Sequence, residues 1–269
     1  MDLQKQTALP ISLNEKGILE FGAPLEKIEP GRRTVAQMKE YLFKSEASFP
    51  TESVYDMYRN VHLPQDEKTF TDAGLRFDIT VFHPGLLGNE FCKTIGHYHP
   101  YKPATRVRYP ETYEVICGQA LFLMQRMDEA FEKVLEVYAI EASEGEDVIF
   151  LPGFAHFTIN PTPQILVTSN WVARAFESNY ARVAKYHGAA YYVLRGADGK
   201  PEFIPNKNYS FVPELKKLRP KELPQLGLIN NQPAYLTGQK SPNMLKFLIT
   251  PEDSLNELKI EHCYLELPL

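Results

Sequence analysis

Two short stretches decide how this chain reads: Thr94-Ile95-Gly96-His97-Tyr98-His99-Pro100 and Glu111-Thr112-Tyr113-Glu114-Val115-Ile116-Cys117-Gly118. Side chains alternate across a strand with period two, so His97 and His99 point to one face. Imidazoles placed in this way can share one divalent metal. A third histidine follows in Pro152-Gly153-Phe154-Ala155-His156-Phe157-Thr158-Ile159-Asn160. Three histidines and one carboxylate complete a ligand set for a borderline transition metal. An isolated His-x-His is often an accident of a surface or a core. Here the carboxylate, a glycine seven residues after it and the later His-x-x-x-Asn fit one pattern. Two carboxylates compete for the fourth place: Glu111 and Glu114 lie three apart, so a strand sends them to opposite faces, with Tyr113 on the face of Glu111.

Outward from these stretches the chain reads as short strands. Val54–Arg59 alternates and is rich in aromatics, and Leu75–Phe82 alternates more cleanly. A Pro84-Gly85 turn leads into a strand over Glu90–His99, and the basic loop 100–110 carries Lys102, Arg106 and Arg108. Glu111–Cys117 and Ala120–Arg126 read as a hairpin around Gly118-Gln119. Lys133–Ile140, Val148–Leu151, Ala155–Ile159 and Gln164–Val172 complete the series. Closely spaced strands without a helical period imply an antiparallel barrel or sandwich, and inward metal ligands imply a barrel with a wet mouth.

Three regions follow. Residues 1–49 form an N-terminal arm, irregular through 1–32, in which Thr34 caps a short helix, Gln37 completes a capping box and Val35, Met38 and Leu42 make its apolar stripe. Residues 50–204 are the metal-binding domain. Residues 205–269 are an appended α/β segment that docks on the barrel or on a partner subunit. In it Thr250 is an N-cap with Pro251 at the first helical position, and Leu255, Leu258 and Leu265 face a core.

At 269 residues, with 43% hydrophobic and 23% charged residues, the chain can bury a sizeable core. A net charge of −5 leaves no basic excess to neutralise phosphates, which argues against nucleic acid as a partner. Cys92, Cys117 and Cys263 are an odd number without metal-type spacing and read as free thiols, with Cys92 and Cys117 buried in strands. No leader and no apolar run of membrane-spanning length is present, so a cytoplasmic protein with no membrane contact is expected. His83 and His187 read as structural histidines, and His62 and His262 as surface ones.

The run Thr-x-Gly-His-x-His, then Glu-x-Tyr, then Ala-His-x-Thr-x-Asn resembles the cupin-type glucose-6-phosphate isomerases of archaea and some bacteria. It stands here as Thr94, Gly96, His97, His99, Glu111, Tyr113, Ala155, His156, Thr158 and Asn160. Val54-Tyr55-Asp56-Met57-Tyr58 and Ile79-Thr80-Val81-Phe82-His83-Pro84-Gly85 add to it, and the likeness spans roughly 50–185. It implies an all-β cupin (double-stranded β-helix or jelly-roll) barrel. It also implies one divalent ion, Fe(II) or else Mn, Zn or Ni, held by His97, His99, Glu111 and His156. Glu111 is chosen over Glu114 because Tyr113 shares its face and Gly118 stands at the cupin distance from it.

The resemblance further implies interconversion of glucose 6-phosphate and fructose 6-phosphate, with Glu111 as ligand and proton handler and Tyr113 hydrogen-bonding the sugar or the carboxylate. The route is an enediol or a metal-assisted hydride shift. The small phosphorylated sugar would be held at Tyr55, Thr80, Thr94, Gly96 and Tyr180. Alternation supports Thr80 and disfavours Thr94, whose parity is opposite to His97. Arg106 and Arg108 flank the mouth as further phosphate contacts. The chain departs from the family in three places: the long His99–Glu111 loop, Phe91 where a glycine is usual, and Ser178 where relatives tend to carry a histidine ahead of the final tyrosine. Rival readings are mannose-6-phosphate or another sugar-phosphate isomerase, a cupin dioxygenase and a non-catalytic sugar-binding cupin. A homodimer is the expected assembly.

Overall fold

From residue 111 onward the chain crosses repeatedly between two facing sheets. A computed structural model describes residues 1–175 and 178–268. One sheet runs, in spatial order, Asp147–Phe150, Glu111–Cys117, Leu166–Ala173, Leu75–Phe82, Ser53–Tyr58 and Gly31–Thr34. The other runs Pro201–Pro205, Tyr191–Arg195, Glu90–Lys93, Phe154–Asn160, Gln119–Met127, Val134–Ser143, Lys216–Pro220 and Tyr264–Leu267, with His97–Tyr98 also paired to Phe154–Asn160. Their inner faces meet through aromatic rings: Phe150 of the first stacks on His156 of the second at 4.2 Å, and Tyr113 meets Phe122 at 5.8 Å. This winding is the all-β cupin barrel.

The expected hairpin at Gly118-Gln119 is not there. Glu111–Cys117 pairs with Asp147–Phe150 and Leu166–Ala173, whereas Gln119–Met127 pairs with Val134–Ser143 and Phe154–Asn160. Gly118 is a corner at which the chain changes sheets. Its φ of +92° suits glycine, and a Cβ there would lie 2.8 Å from the Ile165 carbonyl oxygen. The strand expected over Glu90–His99 is also interrupted, ending at Lys93 and restarting at His97.

In the arm, Gly31–Thr34 is an edge strand on Ser53–Tyr58, with Arg33 opposite Tyr55. Two arginines without apolar alternation hid it from a reading by pattern. The helix after Thr34 is one α turn, Val35–Met38, followed by a 3₁₀ turn; Gln37 Oε1 accepts the Thr34 N–H at 3.0 Å. His83 is paired with Asp56 at 3.0 Å, both buried. Cys92 and Cys263 are buried free thiols, but Cys117 is only half-buried beside the corner. No helix among the described residues is long and apolar enough to cross a membrane.

Residues beyond 205 pack against the barrel. Lys216–Pro220 runs parallel to Val134–Ser143, and Tyr264–Leu267 pairs outside it. The helix Ala234–Lys240 lies on the outer face of the first sheet, where Trp171 Nε1 donates to the Ala234 carbonyl at 2.8 Å. Gly238 is obligatory there, since a Cβ would stand 2.1 Å from the indole. Thr250-Pro251 opens a 3₁₀ turn rather than an α-helix, and Leu258 is buried while Leu255 and Leu265 are 43% and 54% exposed. The 3₁₀ period turns Leu255 outward, and Leu265 lies on an edge strand.

The same helix buries an acid pair. Glu114 faces outward, opposite Asp147, and its Oε2 accepts from Ser169 Oγ at 3.0 Å and the Ala234 N–H at 3.1 Å. Desolvation lifts both carboxyls, Glu114 from 4.5 to about 7, and Asp147 is raised further by the charge of Glu114. Between those pH values the folded protein keeps a proton that the unfolded chain releases, so stability falls as pH rises through this window and stays reduced above it. Glu114→Gln is therefore expected to raise stability by on the order of 1–3 kcal/mol at pH 8 and by much less at pH 5. Thermal unfolding at both pH values checks this; a pH-independent difference would contradict it.

Candidate metal centre and its pocket

Four side chains from three segments converge at one end of the barrel. One ligand atom from each of His97, His99, Glu111 and His156 lies within 4.8 Å of all the others. His97 and His156 come together because their strands pair directly opposite one another. Glu111 arrives from the facing sheet, with Oε2 3.1 Å from His99 Nε2 and 3.3 Å from His156 Nε2. His99 Nε2 stands 3.1 Å from His97 Nε2.

The donor chemistry fits a divalent cation. His99 Nδ1 lies 2.7 Å from the Tyr109 carbonyl, which can only accept, so that nitrogen carries the proton and Nε2 presents a lone pair to the cluster. His156 is held instead by the stacked Phe150 ring. Burial keeps His97 and His156 well below the ordinary imidazole range, and the neighbouring histidines push both further the same way. Both rings are thus neutral and can donate lone pairs. Glu111 Oε2 and both His156 nitrogens are buried without a hydrogen-bond partner. Buried polar atoms left in this way are costly unless something satisfies them, and a cation would satisfy all of those facing it.

Asn170 completes the mount. Its Nδ2 donates to Glu111 Oε1 at 2.7 Å, which fixes the carboxylate and leaves Oε2 for the cluster. Tyr113 is buried on the same face, and desolvation and then the Glu111 charge hold its phenol well above the ordinary range, so it stays a neutral donor.

A pocket opens to solvent beside the centre. His97, Glu111, His156 and Tyr113 line it together with Tyr55, Thr80, Thr94, Gly96 and Tyr180, so these five expected substrate-site residues reach one cavity. His99 is buried behind them. Thr94 gets there despite its parity because Gly96, at φ +76°, breaks the strand and resets the alternation. A Cβ on Gly96 would stand 2.0 Å from the Phe157 ring. Thr94 Oγ1 accepts the Thr158 N–H at 3.0 Å, and Tyr180 packs 5.5 Å from the His97 ring.

Sequence reasoning missed four polar residues here and misplaced two. Arg59 and Arg76 line the pocket, clamped to buried Asp78, and Asn170 holds Glu111. A parity signal existed: Arg76 and Asp78 share the face of Thr80 on one alternating strand. Arg33, on the edge strand, sits 5.8 Å over the Tyr180 ring. Arg106 and Arg108 face elsewhere and line a separate hollow; Arg108 donates to the His99 carbonyl and lies 4.0 Å over Tyr101. In the same loop Lys102 is paired with Glu252 of the C-terminal segment.

Because Asn170 acts only through Glu111, Asn170→Ala should leave the fold intact and weaken metal binding by roughly 10- to 100-fold. Competition with a chromophoric chelator measures it, and an unchanged affinity would show that the amide does not orient the ligand.

A family model described as "Glucose-6-phosphate isomerase (GPI)" matches residues 31–209. Glucose-6-phosphate isomerase of Thermococcus litoralis is 31% identical over 138 residues, covering 51% of this chain and 65% of that protein. The Pyrococcus abyssi (strain GE5 / Orsay) enzyme of the same name is 32% identical over 107 residues, covering 40% and 48%. This chain therefore spans about half to two thirds of the length of these relatives. An oxalate oxidase structure with bound glycolate superposes at a TM-score of 0.36 and 14% identity over 51% of this chain and 60% of its own, a likeness on which nothing rests. With two thirds of its length matched by one family model, the chain belongs to the glucose-6-phosphate isomerase family.

Proposed function

We propose that the protein is a metal-dependent aldose–ketose isomerase interconverting glucose 6-phosphate and fructose 6-phosphate. One observation carries this reading: a single pocket is lined both by His97, Glu111 and His156 of the four-ligand cluster and by the hydroxyl residues Tyr55, Thr80, Thr94 and Tyr180. A polyol phosphate needs both, a centre that grips oxygen and a cradle of neutral donors for the phosphate. Gly96 lines the same pocket, which supports a backbone contact to the phosphate there.

An ion bound at the cluster, iron(II) by family likeness with Mn, Zn or Ni as candidates, would supply Lewis acidity toward the open-chain carbonyl and its neighbouring hydroxyl. The residues do the rest. Glu111, with one oxygen anchored by Asn170, is placed to take the C2 proton and return it at C1, through an enediol of the sugar. In the alternative route hydrogen passes directly from C2 to C1, and Glu111 only moves the hydroxyl proton. Tyr113, kept neutral, donates to a sugar oxygen. A twofold homodimer belongs to the same proposal.

Conversion of fructose 6-phosphate to glucose 6-phosphate should disappear on chelation and return with added Fe(II), Mn(II) or Zn(II). Glu111→Gln should lower kcat at least about 100-fold. Reaction in deuterium oxide separates the routes, because only the proton route through Glu111 incorporates solvent deuterium at carbon. A metal-loaded protein without isomerase activity would overturn the proposal, and Glu111→Gln with full turnover would overturn the role of Glu111.

A further inference from the structure

Arg59 and Arg76 reach the pocket from adjacent strands and share one carboxylate. Arg59 Nη1 donates to Asp78 Oδ2 at 2.6 Å; Arg76 donates through Nε to both oxygens at 3.0 Å and through Nη2 to Oδ2 at 2.9 Å. The Asn60 N–H takes Oδ1 at 2.9 Å. Asp78 is 0% exposed, and Arg76 and Asn60 alone would satisfy and neutralise it. Arg59 is surplus to that need. It sets a second positive charge beside the first; Glu111 lines the same pocket, and a cation at the metal centre would engage that carboxylate and leave the surplus charge for an anionic ligand. The side chain of Arg59 is 45% exposed and that of Arg76 25%, so both are accessible from solvent. The forked contact with Asp78 fixes the plane of the Arg76 guanidinium, and Arg59 is held by Nη1 on Asp78 and Nη2 on the Met57 sulfur, which presets the directions of their remaining N–H donors.

The strand register gives the level of this cluster in the pocket. Asp78 lies opposite Asn170, and Asn170 lies opposite Tyr113. Arg76, opposite Val172, is one layer further on. Asn170 is the residue that holds Glu111, so the arginines stand at the level of the metal ligands. Thr80 is one layer away on the other side and Tyr55, opposite Phe82, one layer beyond that. Each layer is two residues, roughly 7 Å. A sugar phosphate with its phosphate among the hydroxyls therefore brings its carbonyl end, not its phosphate, to the arginines.

We propose that Arg59 and Arg76, mounted on Asp78, form an anion-recognising subsite at the carbonyl end of the pocket. It binds the negative charge that appears on the sugar oxygens when the C2 proton leaves. By the same chemistry it favours sugar-acid phosphates over sugar-alcohol phosphates, which carry no charge at that end. The subsite rests on the sugar-phosphate reading above and adds a charge preference that the metal ligands and the hydroxyl cradle do not require.

The test uses two five-carbon ligands of equal length, arabinonate 5-phosphate and arabinitol 5-phosphate, titrated calorimetrically into the Zn(II)-loaded protein. Arg59→Gln should weaken the aldonate by roughly 10- to 100-fold while changing the alditol less than about 3-fold. Arg59→Lys should restore part of the loss, and Arg76→Gln, as a second variant, should show the same split. Equal losses for both ligands, or no loss for either, would overturn the subsite while leaving the sugar-phosphate reading standing. A wild-type protein that binds neither ligand would overturn that reading and the subsite with it.

Discussion

A carboxylate and three imidazole lone pairs buried within 4.8 Å of one another form an arrangement that favours a cation and little else. Much of the barrel serves that convergence. Pairing of His156 with His97 brings two rings together, with Phe150 stacked on His156; the facing sheet delivers Glu111, and the Tyr109 carbonyl holds the third ring, His99, by a hydrogen bond. Asn170 links the centre to the neighbouring strand. Desolvation, usually a cost for polar groups, has a use here: it keeps His97 and His156 neutral, the only state in which a ring nitrogen can be a ligand.

The centre and much of the fold were legible because both depend on period two. His97 and His99 share parity, Tyr113 shares the face of Glu111, and Glu114 turns outward to Asp147, all readable by counting. Counting fails where the backbone stops alternating. At Gly96 a left-handed residue resets the parity and carries Thr94 into the pocket. At Gly118 a turn-like residue is a sheet-changing corner, and only the pairing of distant strands distinguishes that from a hairpin.

Charge was harder to read than apolar pattern. Arg106 and Arg108 looked placed for phosphate because they are near the motif in sequence, yet their loop folds toward Glu252 and Tyr101. Arg59 and Arg76 lie outside the motif and face the pocket because their strands do. Arg33 comes from the arm, on a strand with no apolar signature. Long polar side chains take their direction from the fold around them, and a short motif contains little of that information.

The parallel strand Lys216–Pro220 also bears on solubility. Val134–Ser143 is ten residues long and rich in buried apolar groups, and without a neighbour it would present an unpaired row of N–H and C=O groups. Such an edge is a template for another copy of the chain. Lys216–Pro220 covers part of it, and the sheet then ends on Tyr264–Leu267, a four-residue strand with an exposed glutamate, a poor template for further growth. During synthesis the long edge emerges some eighty residues before the strand that covers it. Over that interval this edge of the nascent sheet is open to self-association.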